Sequence, residues 1–189
     1  MKNKESHLVA LLVGLALLAL SFYMDGYTRY LFNSANTPVI SAFFGIITNY
    51  GVVLLVMLIV PCLALYRKDK KLVYLLIITF LVSFLVTFGI KLIVQRERPF
   101  EALTYFFGVT DYSFPSGHSV TVFSLLPLLA EYIKRQKKFW AASAFLVAFS
   151  RVYLGFHFLS DVVFGSFLGY LIGHYMLNFY KNKYETRQI

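Results

Sequence analysis

Charge is scarce in this chain. Of its 189 residues, 14% are Asp, Glu, Lys or Arg, against roughly 25% in an average soluble domain. A soluble domain of this length needs far more polar surface to cover it, so that class is excluded. Cysteine is scarcer still. Cys62 is the single one, which excludes an internal disulfide, and it sits in an apolar run without a partner for metal. It reads as lipid-facing or packing filler rather than as a reactive thiol. Internal repeats, low-complexity tracts and long linkers are also missing.

What the chain has is apolar sequence, 59% of it, gathered into runs. A spanning helix needs about 20 apolar residues, and residues 8–24, 45–66, 72–94, 119–133, 139–152 and 159–180 supply six candidates. The first could be taken for a signal peptide. It lacks a small-residue cleavage site and runs on into aromatic sequence, so it is expected to be retained. Residues 25–44, with the helix-starting pair Thr37-Pro38 and many aromatics, are expected to lie along the membrane interface. The expected fold is all-α: one domain over residues 1–189, a bundle of six transmembrane helices with a short interfacial segment between helices 1 and 2.

The net charge of +9 invites a nucleic-acid reading, which its distribution excludes. Thirteen of the 18 Lys and Arg residues fall in the tails and in two loops, residues 67–71 and 134–138, that six crossings put on one side. Five (Arg29, Lys91, Arg96, Arg98 and Arg151) fall on or near the other. The positive-inside rule makes the thirteen cytoplasmic. A multi-pass protein of the cell (inner or cytoplasmic) membrane is expected, with both termini inside and nucleic acid not among its partners.

Three polar clusters are left over. Lys91 lies in an apolar run, where an ammonium costs roughly 2.5–3.5 kcal/mol at the helix centre unless it snorkels from a helix end. Arg98 follows two helical turns later, on the same face if the helix continues, and Pro99 then turns the chain. Arg96 and Glu97 read as solvated or mutually paired loop charges. The second cluster, Pro115-Ser116-Gly117-His118, precedes an apolar run. It reads either as an ordinary helix cap or as an anion site made of the Ser116 hydroxyl and the Gly117 and His118 amides. In the third, His157 and Asp161 are four residues apart, within reach of each other on one helix, and Gly155 allows a turn that brings Arg151 alongside. A carboxylate on one imidazole nitrogen leaves the other free to attack, whereas a buried pair stabilising a helix junction would look the same.

Together, three cations beside a helix N-terminus suit a phosphoryl group, whose transfer depends mainly on charge stabilisation and positioning. Two histidines can divide attack and protonation between them. The cations supply what Mg²⁺ would, and no Cys, Glu or Asp cluster has metal-ligand spacing. No metal and no cofactor are expected.

These clusters resemble the three motifs of the type 2 phosphatidic acid phosphatase family, K-x6-RP, PSGH and SR-x5-H-x3-D. Here they read Lys91 to Arg98-Pro99, then Pro115-Ser116-Gly117-His118, then Ser150-Arg151, His157 and Asp161. Every fixed position matches, in order, within residues 91–161. The resemblance implies a membrane lipid phosphate phosphatase with its active site near the outer membrane face. It implies that His157 forms a phosphohistidine, oriented by Asp161, and that His118 is the acid for the leaving group. Lys91, Arg98, Ser116, Gly117 and Arg151 would bind the phosphoryl oxygens.

The substrates it allows are phosphatidylglycerophosphate, phosphatidic acid, diacylglycerol pyrophosphate and polyprenyl pyrophosphates, with a phospholipid monophosphate placed first. Tyr105, Phe106, Phe107 and Tyr112 are expected either to border a lateral gate for the lipid or to act as interfacial anchors. Two other classes stand beside this reading. A vanadium-dependent haloperoxidase uses a similar site in soluble enzymes, and a non-catalytic lipid-phosphate binder or transporter would need the cations without the His–Asp pair.

Overall fold

The computed structural model of the chain describes residues 2–35, 37–99, 105–106 and 109–185. Over these it is helical, with one two-residue antiparallel pairing, Tyr105–Phe106 (β1) with Val109–Thr110 (β2). The helices are α1 (Lys2–Ala35), α2 (Pro38–Ile47), α3 (Tyr50–Leu54), α4 (Val60–Tyr66), α5 (Lys70–Val94), α6 (Gly117–Tyr132), α7 (Lys137–Tyr153) and α8 (Leu159–Tyr180).

Local chemistry sets most boundaries. Pro38 occupies the first turn of α2 behind an extended Thr37, where its missing N–H costs nothing. Asn49 caps α3 by accepting from the Gly51 and Val52 amides, and Asp69 caps α5 by accepting from Lys71 N–H at 2.8 Å. A π-helical turn, Leu55–Ile59, joins α3 to α4, with Val60 N–H donating to the Leu55 carbonyl. The turn widens the helix just before Pro61, whose ring would otherwise crowd the preceding turn.

One expectation changes. The first helix does not stop at residue 24: α1 continues to Ala35, and α2 begins only at Pro38. The polar residues beyond 24 explain the continuation, because Asp25 and Thr28 face inward and are buried. Among the described residues, α5 and Leu159–Tyr184 are each long and apolar enough to cross a membrane, and the bent pair Pro38–Ile47 with Tyr50–Tyr66 makes a third. With 16 and 17 residues, α6 and α7 are shorter. Large apolar side chains cover the outside, among them Ile93, Leu63, Leu85 and Leu171.

The tightest seam joins α6 to α8. Gly165, Gly169 and Gly173 recur every fourth residue on one face of α8. A Cβ at Gly165 would sit 3.0 Å from the Ser116 carbonyl oxygen. At Gly169 and Gly173 it would collide with the carbonyls of Val120 and Ser124. Small residues let the backbones approach, which drives helix association where lipid removes the hydrophobic contrast. The seam fixes the start of α6 against the start of α8, and Ser116 N–H donates to the Asp161 carbonyl at 3.1 Å.

The two ends of the bundle differ in character. At one end the basic loops gather. Tyr180 donates to Asp69, Lys181 pairs with Glu131 at 2.7 Å, and Lys71 lies over the Tyr184 ring. Apolar packing dominates there, with Leu65, Leu72, Leu129, Trp140 and Leu177 buried in one core, and Cys62 packs against it. Towards the other end the interior becomes polar. Thr79, Ser83, Thr87 and Lys91 follow one another at four-residue spacing along the buried face of α5. The hydroxyls of the first three donate to carbonyls of their own helix.

Candidate active site

At this polar end a cavity of about 340 Å³ opens between α3, α5, α6 and α7. Its polar lining includes Lys91, Arg98, Asp111, His118, Arg151 and His157, and Phe84 and Phe88 form an apolar side. Lys91, His118 and Arg151 arrive from helix ends, His157 from the turn before α8, and Arg98 and Asp111 from the segment between α5 and α6.

Lys91 stands in the last turn of α5, buried rather than snorkelling. It pairs with Asp111 at 2.9 Å and donates to the Tyr112 carbonyl. The helix stops at Val94, before Pro99, because Gln95 adopts a left-handed conformation with φ 49°. Lys91 and Arg98 therefore do not share a helical face. The turn brings them together by another route: Arg98 NH2 meets the other Asp111 oxygen at 2.6 Å, and its Nε donates to the Asp111 carbonyl. Asp111 thus bridges both cations.

Arg151, in the last turn of α7, donates to Thr48 Oγ1 at 3.0 Å and lies 4.5 Å from the Phe156 ring centroid. Its buried Nε has no hydrogen-bond partner among the described residues. After α7 the chain turns through Gly155, at φ 70°, a conformation open to glycine. The Phe156 and His157 amides then donate back to the Arg151 carbonyl, tying the imidazole to the guanidinium. His118 is the second residue of α6 and meets the Tyr50 ring edge-on at 4.8 Å. Its buried Nε2 also lacks a partner among the described residues. Both atoms belong to residues that line the cavity, where a polar ligand can bond to them.

His157 is not on a helix with Asp161. It lies in the turn before α8, which Phe158 caps, and Asp161 is the third residue of that helix. Its Nδ1 is 3.6 Å from Asp161 Oδ2. The Ser113 hydroxyl sits against both, 3.4 Å from Nδ1 and donating to Asp161. Asp161 also accepts from Phe158 N–H at 2.9 Å, so its carboxylate reaches back to cap the start of α8. Burial, and after it the charges of Arg151, Arg98 and Lys91, hold the His157 imidazole well below its ordinary pKa of 6.5. It is neutral at physiological pH, with a lone pair available for attack.

Six of the eight residues read from the sequence line the cavity: Lys91, Arg98, Gly117, His118, Arg151 and His157. Asp161 lies behind His157. Ser116 caps α6, but it is buried and its hydroxyl accepts from Ser119 at 3.0 Å. The free anion donors at this helix start are therefore the first-turn amides.

Four residues of the site went unread. Asp111, Ser113 and Tyr50 lie outside the motifs. Arg96 was expected to be a solvated charge, or to pair with Glu97. Instead its NH1 contacts Asp161 at 2.6 Å and its NH2 contacts Asp25 of α1 at 2.8 Å. A guanidinium fork can serve two carboxylates at once, and neighbouring Glu97 offers one. For the aromatic gate, the side chains of Tyr105 and Phe106, and all of Phe107, lie outside the described residues. Tyr112 takes part through its carbonyl.

An apolar-surfaced helical chain holding three cations, a helix N-terminus and two histidines around one cavity has the arrangement of a membrane phosphatase. Comparison with known proteins agrees. The sequence profile of the PAP2 superfamily matches residues 71–185, and the chain belongs to that superfamily. It is 30% identical to an undecaprenyl-diphosphatase of Sulfolobus acidocaldarius, over 76% of this chain and 74% of that one. It is 35% identical to phosphatidylglycerophosphatase B of Bacillus subtilis, over 42% of this chain and 43% of that one. The crystal structure of a transmembrane PAP2-type phosphatidylglycerolphosphate phosphatase from Bacillus subtilis superposes with a TM-score of 0.72 at 25% identity, covering 93% of this chain and 96% of that one. Aquifex aeolicus LpxE superposes with a TM-score of 0.68 at 26% identity, covering 82% of this chain and 95% of that one.

Proposed function

We propose that this protein is a six-span phosphatase of the cell membrane that hydrolyses the phosphomonoester of a phospholipid, such as phosphatidylglycerophosphate or phosphatidic acid, through a phosphohistidine at the extracytoplasmic face. The observation that carries the reading is the convergence of Lys91, Arg98, Arg151, His118 and His157 on one cavity, at the end of the bundle away from the basic loops. The charge pattern puts those loops in the cytoplasm.

In this mechanism Lys91, Arg98, Arg151 and the Gly117 and His118 amides hold the phosphoryl oxygens. Nδ1 of His157 faces Ser113 and Asp161, which leaves Nε2 to attack phosphorus. As the N–P bond forms, the P–O bond to the lipid alcohol breaks and His118 gives that oxygen its proton. A water then attacks the phosphohistidine, His118 takes the proton back, and inorganic phosphate leaves with His157 restored. His118 Nε2, which no described residue bonds, supports its share in both steps.

A polyprenyl pyrophosphate is the second reading, favoured by the breadth of the match to the archaeal undecaprenyl-diphosphatase. The deciding experiment is phosphate release by purified protein from a panel of lipid monophosphates and pyrophosphates, in EDTA, with His157→Ala as the blank. The account expects EDTA-resistant release, fastest from a phospholipid monophosphate. Strict Mg²⁺ dependence would overturn the metal-free site, and preference for a polyprenyl pyrophosphate would select the second reading. Lipid flux across liposomes without phosphate release would make the protein a transporter. The aromatic gate has its own test: Phe106→Ser with Phe107→Ser should impair lipid turnover more than turnover of a short-chain phosphate, and equal loss on both would remove it.

A further inference from the structure

Behind His157 lies a second polar cluster, outside the cavity, that the hydrolytic mechanism does not use. Asp25 projects from α1, a helix outside the matched residues 71–185, and is buried at 7% exposure. One of its oxygens accepts from Ser160 N–H at 2.9 Å, and the other accepts from the Ser160 hydroxyl at 2.6 Å. Arg96 stands between the carboxylates. Its NH2 contacts Asp25, and its NH1 contacts both Asp161 Oδ1 and Ser160 Oγ, at 2.6 and 2.7 Å. The guanidinium lies 4.0 Å from the Phe158 ring centroid, and the Arg96 carbonyl accepts from Ser113 N–H at 2.7 Å.

We infer that Asp25 and Arg96 are positioning residues for the His157 step, Arg96 holding Asp161 and Ser113 in register behind the imidazole and Asp25 holding Arg96 and the start of α8. The inference rests on the function proposed above. The geometry leaves few alternatives. Asp161 uses Oδ2 for Ser113, Phe158 and His157, so Arg96 on Oδ1 is the contact that fixes the rotation of the carboxylate. The same residue anchors Ser113 through its backbone, so both groups facing Nδ1 share one support. Asp25 ties that support to α1 and to the first turn of α8. Neither residue reaches the cavity lining, so the phosphoryl oxygens do not depend on them.

The test uses the purified full chain with phosphatidic acid in mixed micelles, and inorganic phosphate as a competing product. The variants are Asp25→Asn, Arg96→Met, Arg96→Lys and His157→Ala. Misplacing a catalytic group by about an ångström costs up to ~10²-fold in rate. Asp25→Asn and Arg96→Met should therefore lose about ten- to a hundredfold in kcat, with KM and inhibition by inorganic phosphate unchanged. Arg96→Lys, which keeps the charge, should recover part of the loss. Where Arg96→Met does not fold, Asp25→Asn carries the test, since it keeps the side-chain shape. Wild-type kcat in Asp25→Asn overturns the inference. Parallel loss of kcat and phosphate inhibition overturns it too, because general disorder of the site would do that. Full activity in His157→Ala instead overturns the underlying mechanism, and so separates the two failures.

Discussion

His157 Nδ1 and Asp161 Oδ2 stand 3.6 Å apart, beyond a direct hydrogen bond, and the Ser113 hydroxyl lies within reach of both. The carboxylate therefore governs the imidazole partly through a serine that is itself buried. Ser113→Ala should lower kcat roughly tenfold, near the ~1.4 kcal/mol that one buried hydrogen bond contributes, and Ser113→Thr should restore most of it. Steady-state kinetics on both variants decide the point. Unchanged turnover in Ser113→Ala would mean that His157 and Asp161 couple without it.

Asp111 occupies the two cations that a phosphoryl group would use. Its carboxylate is partly exposed, at 31%, so it can be displaced by an anion that fits better. Asp111→Asn should therefore tighten inhibition by inorganic phosphate several-fold, read from competition against a soluble phosphomonoester. Weaker inhibition would show that Asp111 holds Lys91 and Arg98 in place rather than competing for them.

Acid stability follows from His157. Its imidazole, buried beside Arg151, Arg98 and Lys91, stays neutral in the folded protein well below its ordinary 6.5. The unfolded chain takes up the proton near that value, so below it the unfolded state binds more protons and stability falls as pH falls. Below about pH 6.5, down to the depressed folded value, each step of acidification therefore costs stability through this one group. Denaturant unfolding at pH 7.5, 6.5 and 5.5 should show the wild type losing more stability on acidification than His157→Gln. Parallel losses would contradict the depressed value.

The seam between α6 and α8 gives a packing prediction. Gly169→Leu would drive a side chain into the Val120 carbonyl, so it should abolish folded protein or lower Tm steeply. Gly26→Ala, where a Cβ meets nothing within 4 Å in the middle of α1, should hold or slightly raise Tm. Thermal unfolding in one detergent checks the pair, and a tolerated Gly169→Leu would count against the close approach.

Legibility followed chemistry. Lys91, Arg98, Arg151, His118 and His157 could be read from the chain because charge and imidazole are conspicuous in apolar sequence, and because their spacing matches a known pattern. Asp25, Arg96, Asp111 and Ser113 could not. Their meaning depends on which helix ends meet, and a lone Asp in a long helix carries no local sign of its partner. The long helices were legible from their apolar runs, but α1 ran past its run because Asp25 and Thr28 have buried partners. The glycine repeat on α8 was present in the sequence. Its four-residue spacing was the signal, and it matters because the facing carbonyls of α6 leave no room for a Cβ.

Phosphoenzyme trapping tests the central claim most directly. Purified protein is mixed with phosphate-labelled phosphatidic acid for milliseconds, denatured in alkali, and examined for protein-bound label. The account predicts a label that survives alkali but not acid, as a phosphohistidine does, present in the wild type and absent from His157→Ala. Label retained in His157→Ala, or turnover without any covalent label, would contradict it.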